Sequence, residues 1–569
     1  MLKLLPAIVV LPAGVVLAWL ALSERSQRAD FVVASDVLRT IDPDRVSWLD
    51  EIQVAGALFE GLTRLDPRTL LPEPGVARSW RLDRDTNTYT FMLRNNARWS
   101  NGQPVIAEHF RFAWLRVLDP QVQAQYASLL FVIDGAREYY DSRLDDDPAN
   151  DVPAAAVGVT ALDDQTLCVR LAAPCSYFLD LTSFPTLAPL YPPTIRQWAY
   201  REGKVLRETQ RLWTRSENIV CNGAFTLERW DFKRRLLLRR NPHYWDASVS
   251  DVGSIEIFIA PDAAAALVAY ETGRIDLLRR FEPEVAITLR KRALAGLRDD
   301  FQVGDRFATY FFRVNCERAP LDNADFRKAL ALAIDKRALC EDVLGLGETP
   351  ADTFVPPGAI PLMPRLAPDG SRILYDPPAG LGADLDAAER GRAARAFLKK
   401  CGYADASDVR PIELAFAPQP AIQRRIAEAV QSMWRETLGL RVELRMVERK
   451  VLSTRIRALD YDIARSDWYG DYMDPATFLD MFVSGSGQNR TGWENAEYDR
   501  LITAAAVEPD NARRFAVFRD AERILCEEQL PIIPLYFKRG SILLNPRFTG
   551  IGDNVRDILP IHRVRLAER

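Results

Sequence analysis

A chain of 569 residues is too long for one core and predicts about two or three domains. At 48% hydrophobic and 10% aromatic it has ordinary globular composition, and its 36 prolines and 29 glycines are spread out, which excludes collagenous or low-complexity segments. A net charge of -4, with no basic tract interleaved with aromatics and no zinc-finger spacing, excludes nucleic acid as a partner.

The first predicted element is an apolar run from Leu4 to Leu22, 19 residues without a charge, followed by the polar SERSQRAD. It reads as a secretory signal peptide or a single membrane anchor. A small-x-small cleavage site is not clear, and no lipid-accepting cysteine ends the run. Next, Tyr89, Phe91 and Leu93 alternate with Thr90 and Met92, a strand pattern; Leu236–Leu238 and Ile255–Ile259 also read as strands. Apolar residues at helical spacing between Asp325 and Leu344 predict a helix, with Asp322 or Asn323 as cap and Gly345 as stop. Pro356–Gly382, rich in Pro and Gly, predicts a surface excursion. A βαβ unit follows. Ile412, Leu414 and Phe416 alternate; Ile422, Ile426, Val430, Met433 and Leu438 line one helix face, stopped by Gly439; Val442, Leu444 and Met446 alternate again. Such a series implies parallel strands in an α/β architecture.

Then comes DWYGDYMDPATF, Asp467 to Phe478. Asp471 sits among Trp468, Tyr469 and Tyr472. A carboxylate walled by aromatics is suited to an ammonium group, the charge pairing with it and the rings adding cation–π attraction. The competing reading is a surface turn whose aspartate caps a helix beginning near Pro475.

Chemistry is otherwise sparse. The seven cysteines, Cys168, Cys175, Cys221, Cys316, Cys340, Cys401 and Cys526, form no CxxC pair. A Cys168–Cys175 bridge is open, but free buried thiols are the expectation for most. His109, His243 and His562 have no metal-ligand spacing, and no cofactor is expected. There is no GxSxG, HExxH, phosphate-loop or dinucleotide-loop motif, so an enzyme is not expected.

Four segments in order carry a family resemblance: Ile41-Asp42-Pro43 to Leu58-Phe59-Glu60-Gly61-Leu62; Thr88 to Leu130, including YASLL; NGAFTLERW with RRNPHYWDA, Asn222 to Ala247; and DWYGDYMDP with the later EYDRLI. Together they resemble the bacterial extracellular solute-binding proteins of the oligopeptide- and dipeptide-binding type (family 5), over nearly all of the chain after residue 30. The resemblance implies a two-lobed, type II periplasmic-binding-protein-like clamp of α/β lobes with an additional inserted domain and a ligand cleft between the lobes. Residues 1–29 would be the signal or anchor; 30–60, 185–303 and 536–569 the first lobe; 61–184 the inserted domain; 304–535 the second lobe.

It also implies binding roles. Asp471 matches the aspartate that pairs with a peptide's α-ammonium group. Trp468, Tyr469 and Gly470 match the strand that offers backbone bonds beside it. Ser47, Trp48 and Leu49 match the first-lobe segment pairing with peptide backbone, although relatives often carry an acidic residue where Ser47 stands. Arg465 matches a basic residue that can meet a peptide C-terminus, or is a solvated arginine at a strand end. Tyr126 matches an aromatic facing the cleft, or packs in the inserted domain. Arg449 stands where relatives often have tryptophan, and Gln423 and Arg318 stand where basic or histidine side chains can serve carboxylates. The implied function is the extracytoplasmic, periplasmic or cell-envelope peptide-binding component of an ABC import system, a monomer delivering ligand to a permease and ATPase complex. Other readings are a binder of a nickel complex, haem or oligosaccharide, a membrane-tethered sensor, or a peptide hydrolase.

Overall fold

The computed structural model describes residues 28–568 except 145–147, 203–204, 209–211, 358–364, 367–371, 374, 404–405 and 553. The apolar run from Leu4 to Leu22 lies outside the described residues. In chain order the framework is β1 (Phe31–Ser35), α1 (Leu49–Leu58), β2 (Ala77–Asp83), β3 (Thr88–Leu93), α2 (Ala107–Val117), β4 (Val159–Asp163), β5 (Thr166–Arg170), β6 (Phe225–Asp231), β7 (Arg235–Arg240), β8 (Ser254–Ile259), β9 (Leu277–Leu278), β10 (Phe301–Val314), α3 (Ala324–Leu332), β11 (Ile412–Phe416), α4 (Ile422–Leu438), β12 (Val442–Met446), β13 (Ile463–Tyr469), α5 (Asn511–Arg523) and β14 (Ile532–Leu544).

One large sheet takes the order β6-β7-β8-β1-β9-β14-β10-β13-β11-β12, with the two-residue strand Thr349–Pro350 also on β14. Its two ends contain the parallel sets β8-β1-β9 and β13-β11-β12. Strands of such sets are covered on both faces and read as apolar runs. In β1, Phe31 and Val33 pack with Ile255 and Ile257 on one face, while Val32 packs with Leu278 and Leu289 on the other. At the opposite end Ile412, Leu414 and Ile463 meet Ile426, Val430 and Trp434 of α4, and Ala415 and Ala464 meet Leu452 and Tyr461 behind. The antiparallel pair β10 and β14, the longest strands, joins the two ends. Gly304 faces Gly540 within that pair, just before a register break between Asp305 and Thr309. Buried Arg306 crosses this spot: a Cβ on Gly540 would lie 2.2 Å from its guanidinium.

A second, four-stranded antiparallel sheet, β2-β3-β5-β4, stands apart with α2 on it. The alternation in β3 is as expected, with Tyr89, Phe91 and Leu93 buried. In α2, Phe110, Ala113, Trp114 and Val117 form one apolar stripe at helical spacing, and Trp114 Nε1 donates to the Leu187 carbonyl at 2.8 Å.

Three expectations change. The helix expected over 325–344 breaks after Leu332 because Asp335 caps a new turn, its carboxylate accepting from the Ala338 N–H; Asn323 caps α3 and Gly345 stops the segment at φ 86°. In α4 the fully buried ridge is Ile426, Val430, Trp434 and Leu438; Met433 flanks it, since a strict i, i+4 ridge selects Trp434. The Pro356–Gly382 stretch is anchored inward at its described ends. Pro356 is buried, and buried Tyr375 donates from its hydroxyl to Glu522. All seven cysteines are free, Cys168 and Cys175 included.

Candidate functional site

The candidate site gathers around β13. One edge of this strand pairs with β10 along its length, from Ile463 to Tyr469. On its other edge β11 pairs only at Ile463 and Ala464. Among the described residues, Arg465–Tyr469 therefore keeps one edge without a strand partner, the arrangement that accepts an added extended chain.

Side chains alternate across this strand. Trp468 turns into the core and donates its Nε1–H to the Thr477 carbonyl at 2.7 Å. Arg465, Asp467 and Tyr469 share the other face. There Asp467 Oδ2 meets Lys538 Nζ at 2.7 Å and an Arg465 Nη at 3.0 Å, and Lys538 Nζ lies 4.5 Å from the Tyr469 ring centre. Burial pushes the Asp467 carboxyl up, but the charges of Lys538 and Arg465, with Arg449 farther off, hold it well below its usual range. Arg465 is thus no solvated strand-end arginine. It also stacks over Tyr310, which itself stacks on Tyr536 with ring centres 4.9 Å apart.

Gly470 follows the strand, its N–H donating to the Phe307 carbonyl at 2.8 Å. A Cβ there would sit 2.3 Å from the Phe307 ring, so the close approach requires glycine. Asp471 comes next. Its N–H donates to Thr477 Oγ1 at 3.0 Å and its carbonyl accepts from Arg556. Its carboxylate takes no hydrogen bond from the described residues. The helical turn after Pro475 is capped instead by Asp474, which accepts from the Ala476 N–H and pairs bidentately with Arg514 at 2.7 and 2.8 Å.

The Asp471 side chain opens into a cavity of about 200 Å³ lined also by Leu49, Gly470, Tyr126, Phe184 and Arg556. Surrounding protein pushes its carboxyl up and the Arg556 charge pulls it down. Arg556 is itself held by Asp180 at 2.7 Å. The Tyr126 phenol is pushed up to about 12, by burial first and then by the Asp471 charge, and its ring meets Phe184 edge-on at 4.9 Å. The aromatic wall expected from neighbouring residues is therefore supplied from elsewhere. None of Trp468, Tyr469 and Tyr472 lines this cavity, and Tyr472 stacks on Tyr177 at 3.8 Å.

Leu49 reaches the same cavity from α1, but Ser47 and Trp48 do not; they line a shallow depression with Arg39, Gln123 and Gln125. Their N–H groups donate to Glu51 Oε2 at 3.2 and 3.3 Å, and the half-exposed Trp48 ring lies under the Arg39 guanidinium at 4.0 Å. Gln423 is buried, its Oε1 facing the Ala417 N–H at 3.3 Å, and Arg318 pairs with Asp460 at 3.1 Å. Phe184, Arg556, Asp467 and Lys538 were missed from sequence. Glu60 and Tyr244 lie in two of the quoted segments and tie them together: Glu60 accepts from the Tyr244 hydroxyl and, at 2.6 Å, from Trp245 Nε1.

Residues 72–490 match the family described as bacterial extracellular solute-binding proteins, family 5. The chain belongs to this family. The solute-binding protein is 32% identical to the dipeptide-binding protein DppE of Bacillus subtilis, over 89% of its own length and 86% of the relative's. Among solved structures, the murein tripeptide binding protein MppA of Escherichia coli matches with a TM-score of 0.75 at 27% identity, covering 96% of this chain and 99% of that one. The oligopeptide-binding protein OppA of Haemophilus influenzae, in complex with RPPGFSPFR, matches with a TM-score of 0.71 at 27% identity, covering 95% and 100%. The fold is accordingly the two-lobed type II clamp with an inserted domain. β10 and β14 join the two ends of the large sheet, and β2–β5 form the separate four-stranded sheet.

Proposed function

We propose that this solute-binding protein is the extracytoplasmic peptide-binding component of an ABC import system, that Asp471 clamps the peptide's N-terminal ammonium group, and that a permease and ATPase complex receives the peptide. The observation that carries this reading is an unpaired carboxylate at the rim of a mostly apolar cavity, directly after a strand with an open edge. A charge clamp on the terminus plus main-chain bonding fixes register without reading side chains. The relatives named for dipeptides, oligopeptides and murein peptides support the same ligand class.

In this reading Tyr126 and Leu49 flank the first residue and Gly470, Tyr469 and Trp468 present the open edge, while Ser47 and Trp48, their N–H groups held by Glu51 in a separate depression, take no part in the clamp on the first residue. Arg465, tethered to Asp467, lies toward the peptide's C-terminal side. The lobes are assigned as 30–60, 185–303 and 536–569 against 304–535, with 61–184 inserted. Residues 1–29 are assigned as signal peptide or anchor, and N-terminal sequencing of the protein from its host distinguishes the two.

The experiment is a binding titration. Asp471→Ala leaves a buried ammonium unpaired and should cost roughly 2–5 kcal/mol of binding. Acetylating the peptide's N-terminus should cause a similar loss in the wild type and little more in the variant. Equal affinity of the wild type for free and acetylated peptides would remove this role.

A further inference from the structure

The turn between β6 and β7 runs against the charge of the chain as a whole. The net charge is -4 over 569 residues, yet the open hollow of about 550 Å³ beside this turn is lined by five Lys or Arg side chains against Asp231 and Glu256 alone. Both carboxylates are engaged. Asp231 pairs with Arg229 at 2.7 Å and with Arg235 at 3.1 Å, and Glu256 lies 3.7 Å from Arg274. Among the described residues, Lys233 and Arg234 have no carboxylate partner.

These two cations follow an aromatic that the fold leaves in water. β6 is the outermost strand at its end of the large sheet. Its hairpin is closed by the Arg234 N–H on the Asp231 carbonyl at 2.9 Å, with Lys233 in the left-handed region at φ 61°. Trp230 packs against the core and seats the hairpin, but Phe232, one step beyond, is 60% exposed. Lys233 Nζ lies 5.6 Å from the centre of its ring. A ring held out in water forgoes its transfer free energy, so this position calls for a cover.

The turn has a fixed place relative to the site. Arg235 is level with Phe258 on β8, and Ile259 with Ser35 at the end of β1. The Asp50 carboxylate accepts from the Asp36 N–H at 3.1 Å, so α1, with Leu49 of the Asp471 cavity, begins at that same end. Turn and cavity therefore share one end of the large sheet. In the import reading above, this is the end presented to the membrane. A folded protein partner would be met by a broad apolar centre with charges at its rim. One ring and two unpaired cations on a hairpin tip instead suit an anionic headgroup layer, which attracts the cations and takes the ring at its boundary.

We propose that the turn Phe232-Lys233-Arg234 is a foot that rests on an anionic lipid bilayer, with Phe232 entering the headgroup layer and Lys233 and Arg234 pairing with lipid phosphates. The clamp then meets the membrane with its cleft end down. The orientation draws on the import reading; the contact itself does not depend on which solute is carried.

The test is hydrogen exchange of the full chain on vesicles of phosphatidylcholine alone, on vesicles with about a third phosphatidylglycerol, and with soluble polyglutamate. Amides of residues 229–235 should exchange at least about threefold more slowly on the anionic vesicles than on the neutral ones. High salt should erase the difference. Lys233→Gln combined with Arg234→Gln should bring the ratio close to one, while unchanged exchange in β1 and β8 reports an intact fold. Equal exchange of the turn on both kinds of vesicle overturns the proposal. So does slowing by polyglutamate as large as that by the anionic vesicles, which would assign the turn to an acidic protein. Either failure leaves the peptide reading standing, and failure of the Asp471 titration leaves this contact standing.

Discussion

Asp471 and Asp474 occupy one loop and do opposite work. Asp474 is fully buried, caps a helical turn, pairs with Arg514 and accepts from Ser176 at 3.0 Å; Asp471 has no such engagement and faces the cavity. Buried carboxylates elsewhere are also distinguishable by their response to pH. Glu522 accepts from the N–H groups of Phe354 and Val355, each at 2.7 Å, and from Tyr375, yet complete burial pushes its carboxyl up from 4.5 to about 7. The folded state then holds a proton that the unfolded state has released, so this group's contribution to stability falls as pH rises from about 4.5 to about 7. The rise corresponds to roughly 3 kcal/mol. Urea denaturation at pH 5 and pH 8 should show the wild type losing about that much more stability across the interval than Glu522→Gln; equal losses would refute the assignment. At this scale the sequence was half legible. An aspartate set among aromatics marked the right residue, but the flanking rings turn away by strand alternation and by stacking on Tyr177. Tyr126 and Phe184, which do wall the carboxylate, come from far off in the chain, where no local pattern reports them.

Among the elements, β13 makes the clearest functional prediction, because its open edge offers main-chain groups beside Asp471. If ligand adds there as a strand, methylating the amide nitrogens of a bound peptide one at a time should give a position-dependent loss. Amides that donate to β13 should lose roughly 0.5–1.5 kcal/mol, with the intervening positions tolerating the methyl. A uniform response along the peptide would argue against strand addition. Elements were the most readable level of the fold. Alternation in β3, β8 and β11 and the periodicity of α4 with its Gly439 stop sufficed for strands and helix. The misses have local physical causes. Asp335 offers a competing cap inside an otherwise helical pattern, and Trp434 takes a core position that pattern-matching gave to Met433. The pairing of β10 with β14 was not legible, since partners so far apart in sequence leave no short-range trace.

For the whole molecule, the clamp predicts a change of shape. Only the closed form touches a ligand from both lobes, so saturating peptide should shrink the radius of gyration in solution scattering. Identical profiles at proven saturation would remove the hinge. The join between parts is specific: Tyr177 stacks on Tyr472, Ser176 donates to Asp474, and Asp180 holds both Arg556 and the Met473 N–H, the latter at 3.0 Å. These contacts frame the very loop that carries Asp471. The cavity beside it takes walls from α1, from the segment around Tyr126 and Phe184, from Gly470 and Asp471, and from the C-terminal stretch around Arg556 and Ile558. In the assignment proposed above, every one of these walls except Gly470 and Asp471 belongs to the first lobe or the inserted domain, so parting the lobes would leave the hollow nearly whole and withdraw only its charged lip.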